Sequence, residues 1–189
     1  MKLEVNQKIV GTVPQNLLDS ILDIIEEDDW HVSDYRKGVG NMSDTNTIPI
    51  FHTPLCASGL YTNEPIRSIR KEKLYDKFFP KLEPIFDILK QIYTYRQFSV
   101  FIARLRPGGK IGFHRDSGNF LELCHRVHVP LQSNPNVEYI IDDKSYYWEP
   151  GNIYEFDNTK IHGVFNNSNE YRIHIVTNLY NLTDEQLAQ

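Results

Sequence analysis

The stretch QFSVFIARLRPGGKIGFHRDSGNFLELCHRVHVPL, residues 97–131, decides the fold. It alternates short runs rich in Val, Ile and Phe with turn chemistry at Pro107-Gly108-Gly109 and Ser117-Gly118-Asn119, residue types that accept turn dihedrals at little cost. The same rhythm continues to residue 180. Asn134-Pro135-Asn136, Asp142-Asp143, Pro150-Gly151-Asn152 and Asn166 to Asn169 supply the later breaks. The pattern predicts strands near 97–105, 110–115, 122–131, 137–141, 144–148, 153–157, 161–165 and 171–179. Seven or eight short strands with no helix between them point to a mainly β fold, an antiparallel sandwich or jelly roll rather than a parallel α/β sheet.

Upstream the periodicity changes. After Pro14, which suits the first turn of a helix, Leu17, Leu18, Ile21, Leu22, Ile24 and Ile25 recur with helical spacing. Residues 29–63 carry no sustained period and contain Gly38, Gly40, Pro49, Pro54 and Gly59, so they read as an irregular segment with short extended pieces. Two more helices are predicted, a weaker one near 65–79 and a firmer one near 82–94, the latter with a stripe of Leu82, Ile85, Phe86, Leu89, Ile92 and Tyr93. These stripes pack against a sheet from outside. A chain of 189 residues fits one domain. The expected organisation is residues 1–95 as helical and loop support and 96–180 as the β core.

Composition narrows the function. The chain is 40% hydrophobic and 12% aromatic, enough for a real core and against intrinsic disorder. A net charge of -5 argues against nucleic-acid binding through a bulk field, which needs clustered Lys and Arg. The amino end has no apolar h-region, and no run approaches the ~20 apolar residues of a membrane span, so no membrane association is expected. Cys56 and Cys124 form no CxxC pair, which fits a cytoplasmic protein without a disulfide framework or a cysteine zinc site.

His114 and Asp116 stand two apart, so on a strand their side chains leave the same face with Cα atoms about 6.5 Å apart. Both can converge on one ion. His162 is the natural third ligand from another strand. Two imidazoles and one carboxylate leave coordination positions open, the arrangement of non-haem Fe(II) oxygenases, whereas structural zinc sites close with four protein ligands. His31, His52 and His125 have no partner at metal-like spacing. Arg172 follows His162 by ten residues across a predicted hairpin, which would bring both onto one face. Its planar fork suits bidentate capture of a carboxylate.

Polar and apolar residues alternate along two of the strands. Arg172, His174 and Val176 interleave with Ile173, Ile175 and Thr177, and Arg126 and His128 with Val127, Val129 and Leu131. The polar sides are either solvent faces of a half-buried sheet or the lining of an inner cavity. Their alignment with the His114, Asp116 and His162 constellation favours the cavity.

With these residues in place the sequence resembles the aspartyl/asparaginyl β-hydroxylase family of 2-oxoglutarate-dependent oxygenases, to which proline 3-hydroxylase-like enzymes are also similar. The resemblance covers about residues 100–180. It rests on Arg104-Leu105-Arg106-Pro107-Gly108-Gly109, His114-Arg115-Asp116-Ser117-Gly118, Arg126-Val127-His128-Val129-Pro130-Leu131, Pro150-Gly151, Phe156-Asp157-Asn158, His162 with Val164 and Asn166, and Arg172-Ile173-His174.

The resemblance implies a double-stranded β-helix of the cupin-like, jelly-roll kind. It implies Fe(II) on His114, Asp116 and His162, with 2-oxoglutarate and O2 as cosubstrates. Arg172 would hold the distal carboxylate of 2-oxoglutarate, and Arg126 and His128 look like the family pair beside its metal-proximal carboxylate. The implied activity is hydroxylation of a C–H bond in an amino acid, or in an Asp- or Asn-type residue of a polypeptide, with succinate and CO2 as coproducts. Some members keep only two histidines, whereas this chain retains Asp116. The helical repeat region of the animal enzymes is absent from the sequence, so their substrates do not carry over. Two other readings are a free-proline-type amino acid hydroxylase and a non-catalytic metal- or carbohydrate-binding jelly roll. Substrate selection is expected from the segment around Trp30 to Tyr61 and from Arg104 or Arg106.

Overall fold

In a computed structural model that describes residues 3–33, 42–52, 69–117, 119–183 and 185, two antiparallel sheets face each other. The larger holds β1 (Gln7–Thr12), β9 (Asn152–Phe156), β6 (Cys124–Gln132), β11 (Arg172–Tyr180), β4 (Gln97–Leu105), β2 (Thr45–His52) and β3 (Arg70–Lys71), in that spatial order. The smaller holds β5 (Lys110–His114), β10 (His162–Asn166), β7 (Val137–Ile141) and β8 (Lys144–Tyr146). This is the double-stranded β-helix expected from the sequence.

Strand alternation splits each large-sheet strand between two cores. Val100 and Ile102 of β4, Val127 and Val129 of β6, and Ile173, Ile175 and Leu179 of β11 point outward from the barrel and join one apolar cluster. Their neighbours point between the sheets, where Leu105, Tyr139, Ile141, Trp148, Tyr154, Phe156 and Val164 form a second cluster. Turn chemistry fixes the hairpins. Asp142 and Asp143, both at positive φ (52° and 64°), make the two-residue link from β7 to β8, the geometry whose twist matches paired strands. Gly151, at φ 88°, lets the chain reverse into β9 where a side chain would be strained.

The outer face of the large sheet is covered by helices. In α1 (Gln15–Leu22), Leu18 and Ile21 are fully buried. In α2 (Tyr75–Ile92), the stripe Phe78, Leu82, Ile85, Phe86 and Leu89 joins the same apolar cluster as the strands beneath. Each such side chain contributes about 1.5–3 kcal/mol when withdrawn from water. Among the described residues no helix is long and apolar enough to cross a membrane.

Three expectations need correction. The two helices predicted near 65–79 and 82–94 are one: α2 runs unbroken through Pro80 and Pro84. Each proline removes one backbone donor, but the buried stripe continues across both and holds the helix together. The supposedly irregular run 29–63 starts inside a 3-10 turn, Glu27–His31, and contains the eight-residue strand β2. Pro49 sits in β2 beside a register shift between Pro49 and Phe51, the kind of irregularity where a strand tolerates proline. Residues 53–63 and 65–68 of the predicted segments lie outside the described residues.

The third correction concerns topology. Residues 162–166 and 172–180 do not form a hairpin: β10 pairs with β5 and β7, while β11 pairs with β4 and β6. His162 and Arg172 therefore approach one another across the space between the sheets rather than along one of them.

Candidate metal and cosubstrate site

β5 and β10 bring the two histidines together. His114 and His162 are register partners, and their ring centroids lie 4.2 Å apart. The ladder shifts between His162 and Val164, because Val164 pairs with Ile111 and leaves Gly112 and Phe113 opposite the single Gly163. Such a bulge re-aims the side chains beside it. Here it turns His114, three residues after the inward-facing Ile111, back toward the cavity. Asp116 follows in the loop, and its backbone N–H donates to the carbonyl of Asn158 at 3.0 Å. Ligand atoms of His114, Asp116 and His162 all fall within 4.8 Å of one another.

The protonation pattern suits a cation. His114 Nδ1 lies 2.8 Å from the Gly112 carbonyl and His162 Nδ1 lies 2.9 Å from the Lys160 carbonyl. A carbonyl only accepts, so both Nδ1 atoms carry the proton and each Nε2 keeps its lone pair. Burial lowers the pKa of His162 and favours this neutral form. Burial pushes the Asp116 carboxyl up, but Arg126, then His162 and His114, outweigh it and hold the pKa below the ordinary value. Asp116 Oδ2 accepts from Asn158 Nδ2 at 3.1 Å and lies 3.8 Å from Arg126 Nε. Oδ1 faces His114 Nε2 at 3.6 Å. Two imidazole Nε2 atoms and one carboxylate are a donor set for a divalent metal with open positions.

The metal-ligand cluster opens into a cavity of roughly 520 Å³, its open mouth included. Met42, Ile111, Ile141, Val164 and Val176 give it apolar walls, and Arg126, His128, Tyr139, Trp148 and Arg172 are its polar lining. Arg172 is 2% exposed. Its Nε donates to Tyr139 Oη at 2.5 Å, and its Nη2 lies 3.2 Å from His174 Nδ1. No carboxylate of the described residues pairs with it. A buried guanidinium is costly unless an anion meets it, so the cavity fits a ligand that carries a carboxylate. Arg126 Nη1 donates to Asn178 Oδ1 at 2.8 Å, which steadies it beside Asp116. His128 packs edge-on to Trp148 and Phe156.

Thus the structure brings together all six residues singled out in the sequence: His114, Asp116, His162, Arg172, Arg126 and His128. It also adds Tyr139, Trp148, Asn158 and His174, which touch them. His174 belongs to the alternating pattern on β11 and Asn158 to the quoted Phe156-Asp157-Asn158 motif, but nothing local in the sequence marks Tyr139 or Trp148.

Two expected substrate contacts are elsewhere. Arg104 points to the outer face, where its guanidinium makes two hydrogen bonds to Glu27 (2.7 and 2.6 Å) between the rings of Trp30 and Tyr171. Arg106 forms an exposed pair with Asp44. Trp30 itself is buried in the outer core. Arg104 and Trp30 fasten the 3-10 turn to the barrel. Of the other expected lid residues, 34–41 and 53–61 lie outside the described residues.

A double-stranded β-helix with two histidines and one aspartate around a point, and a buried arginine farther into the same cavity, defines the class of Fe(II)- and 2-oxoglutarate-dependent oxygenases. Residues 59–181 match the aspartyl/asparaginyl beta-hydroxylase family. The chain belongs to that family and is a hydroxylase. No curated protein matches the sequence.

Solved structures share the fold. An oxidoreductase of the 2OG-Fe(II) oxygenase family from Burkholderia pseudomallei is similar at 14% identity and TM-score 0.59, over 93% of this chain and 84% of that one. A prolyl-4-hydroxylase from Pseudomonas putida is similar at 12% identity and TM-score 0.55, over 94% and 92%. The viral collagen prolyl hydroxylase of Paramecium Bursaria Chlorella virus-1, in a 2OG complex, is similar at 13% identity and TM-score 0.52, over 95% and 98%.

Proposed function

We propose that this protein hydroxylates a C–H bond of an amino acid, or of an Asp- or Asn-type residue in a polypeptide, with succinate and CO2 as coproducts. His114, Asp116 and His162 hold Fe(II). Arg172, backed by Tyr139, takes the distal carboxylate of 2-oxoglutarate, while Arg126 and His128 flank its metal-proximal end. Bound there, Fe(II) with 2-oxoglutarate would supply the oxidising chemistry, O2 being the source of the oxygen added to the substrate. The chain's own residues bind, orient and exclude water: the two Nε2 lone pairs and Asp116 Oδ1 fix the ion, and the apolar walls keep the reacting carbon dry.

The observation that carries this reading is the buried Arg172 guanidinium, unpaired with any described carboxylate, in the same cavity as the three ligand atoms. Arg172→Ala should weaken 2-oxoglutarate binding by about 2–5 kcal/mol, the scale for truncating one side of a buried charge pair. Anaerobic titration of the Fe(II)-loaded protein, followed by the visible band of the metal chelate, measures it. Equal affinity in wild type and variant overturns the assignment. Succinate release in a screen of free amino acids and Asp- or Asn-containing peptides identifies the substrate class.

A second reading, a proline-type substrate, is kept because two similar folds are prolyl hydroxylases; proline and prolyl peptides belong in the same screen. Residues 1–189 act as one oxygenase domain, a reading supported by solved folds that cover 93% or more of the chain. A cytoplasmic setting fits the free, buried Cys124 thiol.

A further inference from the structure

Three polar side chains meet at the deep end of the cavity, and the direction of their hydrogen bonds follows from elementary chemistry. Arg172 only donates, so the His174 nitrogen 3.2 Å from its Nη2, Nδ1, must accept. His174 is fully buried next to that guanidinium and is neutral: burial, then Arg172 and His128, drive its pKa well below the ordinary value. The single ring proton therefore sits on Nε2, 3.0 Å from Tyr139 Oη, and is donated to it. Arg172 Nε donates to the same oxygen. With both acceptor positions of Oη taken, the one acceptor near the hydroxyl proton of Tyr139 among the described residues is His174 Nδ1, 3.4 Å away on the same ring and already facing Arg172 Nη2.

The neighbouring donor is in the same state. The Trp148 indole N–H is buried and without a partner among the described residues. Its ring stacks on Tyr139 at 4.0 Å and lies 6.1 Å from His174, and both residues line the cavity. Buried donors left unmade cost about 1–3 kcal/mol each. Arg172, Tyr139 and Trp148 together present donors and no acceptor.

We infer that His174 is a positioning residue that turns the Tyr139 hydroxyl proton into the cavity, making its deep end a donor-only pocket for an ionised carboxylate. This inference rests on the proposed oxygenase reading and adds to it the residue that sets the pocket's polarity. A carboxylate, acceptor-only with about four lone-pair sites, satisfies every donor there. A group bringing its own protons does not.

The test compares 2-oxoglutarate with 2-oxopentanoate, which has the same keto-acid end and a methyl in place of the distal carboxylate. Calorimetry on Mn(II)-loaded protein gives both affinities without turnover. His174→Phe and Tyr139→Phe should each raise the Kd for 2-oxoglutarate about tenfold or more, as expected for a lost hydrogen bond to a charged group. The Kd values for 2-oxopentanoate and Mn(II) should stay within twofold, and the double variant should be no worse than either single one, because His174 acts through Tyr139.

An unchanged 2-oxoglutarate Kd, an equal loss for both ligands, or additive losses overturn the role of His174. If His174→Phe fails to fold, Tyr139→Phe alone carries the test: it must lose 2-oxoglutarate and keep 2-oxopentanoate, and any other result overturns the inference. Failure of the wild-type protein to bind 2-oxoglutarate at all instead overturns the oxygenase reading.

Discussion

His114 and His162 face each other on adjacent strands, and each ring gives its Nδ1 proton to the carbonyl two residues before it, Gly112 and Lys160 respectively. The two imidazoles are thus fixed in the same tautomer by the same local device. Each backbone carbonyl orients a ring and raises its basicity at Nε2, as outer partners of metal-bound histidines do. Residues around this pair hold it in place, and their roles can be measured separately.

Asn158 grips Asp116 twice, through its carbonyl and through its side chain, and the side chain also donates to Leu121 O at 3.0 Å. Asn158→Ala frees Asp116 Oδ2 to rotate. Metal affinity should fall about 10- to 100-fold, with little loss of thermal stability, as titration with Mn(II) and a melting curve will show.

Gly163 is opposite the bulge that aims His114. A Cβ there would lie 3.1 Å from Phe113 Cδ1 and 3.2 Å from the Ile111 carbonyl, closer than ordinary packing. Gly163→Ala should push the Gly112–Phe113 bulge outward and lower metal affinity at least tenfold, on the scale of other disturbed metal partners. Phe113→Ala in the same background relieves only the side-chain clash, so it should restore part of the affinity.

Arg104 fastens the Glu27–His31 turn without touching the cavity. Arg104→Ala removes a forked ion pair with an exposed Glu27 and contacts with the Trp30 and Tyr171 rings. The expected loss is about 1–3 kcal/mol of stability, read by denaturant unfolding, with 2-oxoglutarate affinity within twofold of wild type.

Glu155, buried below the end of α2, accepts from His125 Nδ1 (2.5 Å), Tyr93 Oη (2.9 Å) and Lys8 Nζ (3.0 Å). Burial pushes its carboxyl pKa up, but these donors outweigh it and hold the pKa below 4.5. The folded state therefore binds this proton less readily than the unfolded chain. The stabilisation is fully present above about pH 4.5 and fades as pH falls through the lower folded value. Glu155→Gln should be about 1–3 kcal/mol less stable at pH 7, and the gap should narrow below pH 4.5 in melting curves taken across that range.

Where side-chain alternation controls structure, the sequence was a sufficient guide. β4 and β7 fall on residues 97–105 and 137–141 as expected, and the inward faces of β6 and β11 carry the expected Arg126, His128 and Arg172. The misreadings have specific causes. Pro49 hid β2, and Pro80 and Pro84 cut one buried stripe into two apparent helices. Arg104, a charge inside a strand, was expected to select substrate, because no local pattern reveals that Trp30 and Tyr171 close over it from 74 and 67 positions away. His162 and Arg172 share a cavity for a reason that sequence parity does not contain: they belong to opposite sheets. Tyr139 and Trp148 were missed, and Asn158 was quoted in a motif without a role, for the same reason: each acquires its role from a residue at least 26 positions distant.

That division between sheets has a mechanical consequence. The cation ligands ride on the four-stranded sheet and the guanidinium on the seven-stranded one, with the stacked rings of Tyr139, Trp148 and Tyr154 wedged as a shim between them. On the proposed reading, in which a diacid spans the two sheets, the molecule works like a caliper whose opening is set by the thickness of that aromatic layer. Thinning that layer should reset the jaws toward a dicarboxylate of different chain length while leaving both gripping ends intact.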